Sequence, residues 1–567
     1  MTGKTTESSK ELTKEIISFC RHIAGSFRIT AMCICGNCAS EFYDARVVIE
    51  VLLIIPGFPP KIMNYVKVLG NHTIIVLTVD QGVFENDVDR GFLGEALADG
   101  IVLPYVPLLN SDYLCSMEVA LKKRLTQELL ENLVLRFPEL SRQLRIKPEY
   151  FLYETVMTRV RLFPPMIHTL DNLLRVKTRE KNMQTALNGF SEALRQLERE
   201  GKICISNGYV RISEEFAQKA ASRRARFVSL FRPTQRALFV SLLGILPGIL
   251  NLLSQNREFL QRFPKASDGN SASIRSLEDP ENYVFFPTAN GLVPLANRMD
   301  IRAFARKMLG ASEDAKMTVK RLGGMLNDVY LIRVLVDSEE RNVVAKDFRD
   351  WSNFKWFPLT LWSIGTRTFT VLGRSRLEKE IAINQLLHSK GFAVPKILCA
   401  SPNQRLVFME YIDGEHLSKL TKRISTLKDS NKLKEDLAIV EKVGRLVAKV
   451  HALGVSLGDS KPENILIAKN GEIYLMDFEQ ASRNGDKVWD IAELLYYSGH
   501  FFAPLAELPR AELLAESFIN GYLGEGGNIE NVKKAGDSKY TKVFSIFTLP
   551  RIILTISNYC RKTDLNG

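Results

Sequence analysis

The chain has 567 residues, too many for one ordinary domain, so three or four are expected. Hydrophobic content of 46% and charged content of 25% describe a folded, water-facing protein with ample core, and eight scattered cysteines exclude a disulfide-stapled scaffold. A formal charge of +12 and a pI near 9.1 suit an acidic partner such as nucleotide, nucleic acid or anionic lipid, and the polar start Met1–Lys10, with no signal-peptide pattern after it, points to a reducing cytoplasm.

In chain order, residues 11–115 alternate helical and strand-like pieces, with buried-strand runs at Val47–Ile55 and Ile74–Val79. That alternation predicts an α/β domain. Residues 116–218 read as helices broken at Pro138, Pro148 and Pro164-Pro165, then a helix over Met183–Glu200 and a hairpin turning at Asn207-Gly208. Residues 219–263 begin with six Lys/Arg and no acid up to Arg236, then turn apolar over Ala237–Leu253, with Pro247-Gly248 inside. A basic stretch before a short apolar one suits peripheral contact with an anionic membrane surface, which would make the protein membrane-associated; a buried helical hairpin is the bland alternative. Residues 264–282, rich in Ser, Asp, Asn and Pro, read as a linker, and 283–567 as one two-lobed domain.

The chemistry-bearing residues concentrate in that last domain. Lys320–Leu331, with Gly323-Gly324, reads as strand, glycine turn, strand, a shape that lets backbone N–H groups approach phosphates. Val343-Val344-Ala345-Lys346 is a strand ending in a lysine. Glu380 lies on a predicted helix, Arg376–Lys390, with Glu378 as its rival two residues away. Leu406–Glu410 is a strand running toward Ile412, and a helix over Leu433–Leu453 leads into Leu457-Gly458-Asp459-Ser460-Lys461-Pro462-Glu463-Asn464. Thirteen residues later come Asp477-Phe478-Glu479, and thirteen after that Asp490. One carboxylate to receive a hydroxyl proton, a lysine to offset phosphoryl charge, and an amide with a second carboxylate to hold a divalent ion are what phosphoryl transfer needs.

In this order, over roughly residues 283–520, the set resembles the protein-kinase-like superfamily. The resemblance implies a two-lobed kinase fold using ATP and Mg²⁺. Gly323 and Gly324 would cover the phosphates, and Lys346, oriented by Glu380, would hold them. The backbones of Glu410 and Ile412 would hold adenine. Asp459 would act as base with Lys461 beside it, Asn464 and Asp477 would bind metal, and Asp490 would brace the catalytic loop. There are departures. Leu457-Gly458 replaces the His-Arg before the catalytic Asp, Glu479 replaces the Gly after Asp-Phe, and the short segment to Asp490 leaves no room for a long activation segment. These look like the atypical branches: RIO-type, lipopolysaccharide-kinase-like, and aminoglycoside or choline phosphotransferases. The acceptor is thus a protein Ser/Thr or a small-molecule hydroxyl. A pseudokinase that binds nucleotide without turnover competes, as does a regulator that reads DNA and uses the kinase fold as a nucleotide sensor, and the intact Lys346, Asp459, Asn464 and Asp477 argue against a fold without turnover.

Residues 11–115 are similar to a degenerate nucleotidyltransferase fold, with its turn at Cys35-Gly36-Asn37 and its acidic pair reduced to Val48 and Glu50. One carboxylate cannot hold that family's metal pair. The helix-and-hairpin region resembles a winged helix, which implies DNA as a partner through Lys202, Arg211 and the basic stretch, or else a protein contact. The expected class is therefore α/β and α+β multidomain, a combination similar to archaeal proteins. Cys33, Cys35 and Cys38 with Cys20 and His22 form a candidate zinc set, against which strand packing competes. Trp351, Trp356 and Trp362 form a candidate recognition patch. His451 reads as a buried structural histidine.

Overall fold

The computed structural model describes all residues except 1, 36–47, 70–71, 94, 96, 163–178, 222–278, 299, 313–314, 324–326, 337–338, 349–369, 371, 503–507, 546–547 and 564–567. Gly36, Asn37, Cys38, Gly324, the three tryptophans, the apolar run 237–253 and most of the basic stretch and linker lie outside the described residues. The chain divides into two compact units, Met1–Val284 and Phe285–Gly567.

The first unit is built on a five-stranded mixed sheet: β1 (Ala31–Cys35), β2 (Val48–Ile55), β3 (Ile62–Leu69), β4 (His72–Asp80) and β5 (Val106–Leu109), in the order β3-β4-β2-β1-β5. Only the β2–β4 pair is parallel. The apolar run Val51–Ile55 of β2 is unbroken because both faces are buried there. Val51, Leu53 and Ile55 meet Ile16 and Cys20 of α1 (Thr2–Ala24), while Leu52 and Ile54 meet Phe84 of α2 (Gln81–Arg90) and Leu114, Leu121 of α3 (Ser111–Arg136). Cys20 therefore packs on the opposite face from Cys33 and Cys35, whose sulfurs lie 3.6 Å apart, so these three candidate zinc ligands do not converge. Among the described residues no group of three His, Cys, Asp or Glu could hold a metal ion.

Beyond α3 come β6 (Arg145–Ile146), α4 (Glu149–Leu162), α5 (Arg179–Arg199), β7 (Ile203–Ser206), β8 (Tyr209–Ile212) and α6 (Glu214–Ala220). The β7–β8 turn puts Asn207 at φ 51° and Gly208 at φ 77°, the two left-handed residues a tight hairpin requires. Lys122, buried on α3, donates to Glu118 (2.6 Å) and to the Ala186 carbonyl on α5 (2.9 Å).

The second unit opens one residue into β9 (Val284–Thr288), which forms a hairpin with β10 (Gly291–Pro294) and is followed by helix α7 (Ile301–Leu309). An antiparallel sheet follows, in the order β11-β12-β13-β15-β14, from β11 (Met317–Gly323), β12 (Asp328–Val336), β13 (Glu339–Asp347), β14 (Ile397–Ser401) and β15 (Leu406–Glu410). Helix α8 (Gly373–Ser389) precedes β14. The remainder is mainly helical: α9 (Leu417–Thr426), α10 (Ser430–Ala452), α11 (Lys487–His500), α12 (Leu508–Gly524), α13 (Ile529–Ala535), α14 (Ser538–Phe544) and α15 (Pro550–Lys562). Short strands β16 (Gly414–His416), β17 (Val455–Ser456), β18 (Ile465–Ala468), β19 (Ile473–Leu475) and β20 (Ser482–Arg483) carry its loops. One large apolar core runs through this part. Helices α10 and α12 meet at two glycines: a β-carbon at Gly444 would stand 2.1 Å from the Phe518 carbonyl oxygen, and one at Gly521 2.0 Å from that of Glu441. Among the described residues no helix is long and apolar enough to cross a membrane.

Candidate active site

Three of the residues singled out by the sequence meet at one ammonium group. Lys346, next to last on β13, points its Nζ to Glu380 Oε2 on α8 (2.9 Å) and to Asp477 Oδ1 just beyond β19 (2.6 Å). Glu479 Oε2 stands 3.4 Å from the same nitrogen, and the Phe348 ring lies 4.8 Å beneath it. Glu380 Oε2 also accepts the N–H of Phe478 (3.0 Å), so one carboxylate binds both the lysine and the backbone beside Asp477. The rival, Glu378, is buried elsewhere on α8 and makes no ion pair with Lys346.

Burial alone would strip the lysine of its charge; Asp477, Glu380 and Glu479 reverse that and raise it well above the ordinary range. Asp477, whose burial works the other way, is held below its usual value by Lys346. Burial pushes the Glu380 carboxyl up to about 7 against the pull of Lys346, and its Oε1 is buried with no hydrogen-bond partner. Asp477 sits at φ 64°, in the left-handed region. Such a conformation costs an L-residue of order 1–3 kcal/mol and marks a position fixed by its surroundings.

The loop between β17 and β18 is held from below. Asp490 on α11, fully buried, accepts the N–H groups of Leu457 (2.6 Å) and Gly458 (2.7 Å). Gly458 lies at φ 76°, so the arginine of the usual kinase sequence would be strained here. His451 Nε2 meets Asp490 Oδ2 at 3.0 Å, and its Nδ1 meets the Tyr522 hydroxyl at 2.9 Å, tying the loop to α12. One helical turn after Asp490, Glu493 accepts the Ser460 N–H (2.7 Å). At the surface of the loop, Lys461 Nζ pairs with Asp459 Oδ2 at 2.9 Å. Burial lowers the lysine's proton affinity, and Asp459 more than restores it. Asn464 Nδ2 donates to the Asp459 carbonyl at 2.8 Å, so the amide's nitrogen is engaged by the loop's own backbone.

Glu410 ends β15 opposite Val343 of β13, with Ile412 just beyond in the segment leading to α9. Gly323 ends β11, paired with Val329 across a bulge. The sequence reading missed a buried cycle beside Lys346. Arg376 on α8 donates to Asn327 Oδ1 (2.7 Å) and reaches both oxygens of Glu479 (3.3 and 3.4 Å), and Asn327 Nδ2 donates to Glu479. Arg376 and Glu380 are four apart on a helix, which was a usable clue to a shared face. The other members stand 49 and 103 residues from Arg376, and no local pattern joins them.

Residues 335–513 match the Lipopolysaccharide kinase (Kdo/WaaP) family. The chain is 28% identical over 164 residues to "Probable serine/threonine-protein kinase BUD32 homolog" of Archaeoglobus fulgidus, covering 29% of this chain and 73% of that protein. It is 28% identical over 107 residues to "KEOPS complex subunit Bud32" of Pyrococcus abyssi, where the match covers 19% of this chain and less than half, 45%, of the relative. It is 30% identical over 105 residues to "CBL-interacting serine/threonine-protein kinase 16" of Arabidopsis thaliana, covering 18% and 21% of the two chains. Together with a mixed α/β, multidomain architecture, these similarities support a kinase activity of the atypical, protein-kinase-like kind.

Proposed function

We propose that this chain is an ATP- and Mg²⁺-dependent phosphotransferase that acts on protein serine or threonine. The observation that carries the reading is the convergence of Lys346, Glu380 and Asp477 within 2.6–2.9 Å contacts, drawn from a strand, a helix and a loop far apart in sequence. The donor set fits the metal: Asp477 and the Asn464 oxygen are hard oxygen ligands, and Mg²⁺ is commonly held by one or two such groups together with substrate phosphates. When bound, the ion neutralises charge between the phosphates. Lys346 binds the nucleotide phosphates and Glu380 keeps it oriented. The end of β15 at Glu410 and Ile412 holds adenine through its backbone, and Gly323 and Gly324 close over the phosphates. Asp459 orients the acceptor hydroxyl and takes its proton, while Lys461 offsets charge on the group in transit. The serine/threonine kinase names of the relatives support a protein acceptor.

A small-molecule hydroxyl acceptor is the second reading. It is favoured by the matched family's description and by the nine residues between Asp477 and the start of α11 at Lys487, which leave little chain for an extended peptide platform. In the first unit, Glu50 faces Cys35 and Ile75 as a lone strand carboxylate, which suits an architectural or binding role for a nucleotidyltransferase-like sheet. Arg211, exposed on β8, suits duplex contact by a winged helix. Lys202 is already engaged by Glu200 at 2.8 Å and Gln127 at 2.9 Å.

The test is incubation with γ-labelled ATP and Mg²⁺, alone and with generic protein substrates or small alcohols. Label on protein supports the first reading, and label on small alcohols alone the second. Asp459→Ala is expected to abolish transfer while nucleotide binding persists. A variant that transfers at the wild-type rate removes Asp459 from its role.

A further inference from the structure

We propose that Arg376, Glu479 and Asn327 form a clamp that assembles the nucleotide site before nucleotide arrives, with Arg376 and Glu479 as positioning residues. This rests on the kinase reading above and adds three residues to it.

Each member bonds to the other two: Arg376 to Asn327 at 2.7 Å, Arg376 to Glu479 at 3.3 Å, and Asn327 to Glu479. All three are buried, with Arg376 at 0% exposure, Glu479 at 1% and Asn327 at 7%. Their places in the chain give the cycle its meaning. Asn327 immediately precedes β12. Arg376 lies one helical turn before Glu380 on α8. Glu479 lies two residues after Asp477. Each therefore sits beside one of the parts that phosphate binding requires, and the cycle fixes all three parts relative to one another.

The chemistry is specific to these side chains. Arg376 makes all of these contacts through Nη1, so one guanidinium nitrogen bridges the Asn327 amide oxygen and the Glu479 carboxylate. Glu479 in addition stands 3.4 Å from Lys346, so the ammonium keeps two carboxylates, Glu380 and Glu479, when Asp477 is engaged by a metal. A glycine at 479 would remove the carboxylate that Arg376 meets at 3.3 Å inside the core, and losing one partner of a buried ion pair is costly. The short segment between Asp477 and α11 offers no long ordered loop to do this work.

The test uses the full chain carrying Glu479→Gln, Asn327→Ala, Arg376→Met, Arg376→Lys and the double variant Asn327→Ala/Glu479→Gln. Amide hydrogen exchange without nucleotide is read at α8 and at 477–481, with α10 as reference. Steady-state kcat and KM for ATP are read in parallel. The clamp predicts that each single variant speeds exchange in α8 and at Phe478 by about tenfold while α10 is unchanged. It predicts that kcat/KM for ATP falls about tenfold in each single variant, and that the double variant falls no further than the worse single one. Arg376→Lys is expected to recover part of the loss seen in Arg376→Met. Unchanged exchange at α8, or effects that multiply in the double variant, overturn the clamp. Wild-type protein that transfers no phosphate would overturn the kinase reading, while the exchange data would still decide the clamp. Should Arg376→Met fail to fold, the isosteric Glu479→Gln and the Arg376→Lys variant carry the same comparison.

Discussion

At the scale of single residues, the site is a problem of crowding like charges around one cation. Three carboxylates surround Lys346, and the most deeply buried, Glu380, is the one pushed up to about 7. A carboxyl whose folded value lies above its unfolded one near 4.5 holds its proton longer in the native state. Its contribution is fully present below pH 4.5 and is lost as pH rises through about 7, since the native form binds more protons in that window. Thermal melts of wild type and Glu380→Gln between pH 4 and pH 8 (on the order of the interval set by those two values) check this. The variant is expected to show a flatter decline, and parallel curves would remove Glu380 as the source. Lys346→Met is expected to cost at least about a hundredfold in kcat/KM, since it deletes the proposed phosphate ligand and leaves buried carboxylates unpaired. A change below about threefold, in a variant with native circular dichroism, would contradict the role. The run from Asp459 to Asn464 was legible because its residues act within one loop. Arg376 was not, because its partners lie in other elements and a buried arginine looks like any surface arginine in a helical stretch.

Elements explain why the loop is rigid. Helix α11 presents Asp490 and, one turn on, Glu493 to backbone N–H groups of the segment Leu457–Ser460, so helical periodicity itself sets the spacing of the two props. Asp490→Ala would orphan two buried N–H groups and the Nε2 of His451. At about 1–3 kcal/mol for each unsatisfied donor, a loss near 3 kcal/mol is expected in urea denaturation, with reduced kcat. A loss under about 0.5 kcal/mol would mean that water replaces the carboxylate. The crossing of α10 and α12 depends on absent side chains. Gly444→Ala or Gly521→Ala forces a methyl into a carbonyl, and either is expected to cost about 1–3 kcal/mol or more, read by the same denaturation. The helices themselves show in the sequence as periodic apolar stretches, yet α10 begins at Ser430, where Asp429 caps it, three residues before the apolar pattern starts. The hairpin at Asn207-Gly208 is visible for the opposite reason, since its signal is local and steric. The glycine contacts are invisible in sequence, because a glycine inside a helix looks like a defect until its neighbour is known.

For the whole molecule, the two units carry separate cores, and ligand linkage distinguishes them. A non-hydrolysable ATP analogue with Mg²⁺, at a hundredfold excess over its Kd, stabilises whatever binds it by about 2.7 kcal/mol. Calorimetry is expected to show one transition moving upward and the other unmoved; a common shift of both would mean that the units unfold together. The seam between the units falls inside a strand: β9 starts at Val284 in the first and continues to Thr288 in the second. Within the second unit, that strand's hairpin is fastened to the kinase-like part, since Ala289 N–H donates to the Ile397 carbonyl (2.9 Å) and Gln385 donates to the Pro287 carbonyl. The stretch matching the lipopolysaccharide kinase family, by contrast, starts at residue 335, within β12. A gene fusion that borrowed only that shared stretch would inherit the loop Leu457–Asn464 without β11 or Asn327, and a sheet missing an edge. Transplanting this catalyst therefore means carrying a lead-in of some fifty residues that family likeness alone does not mark.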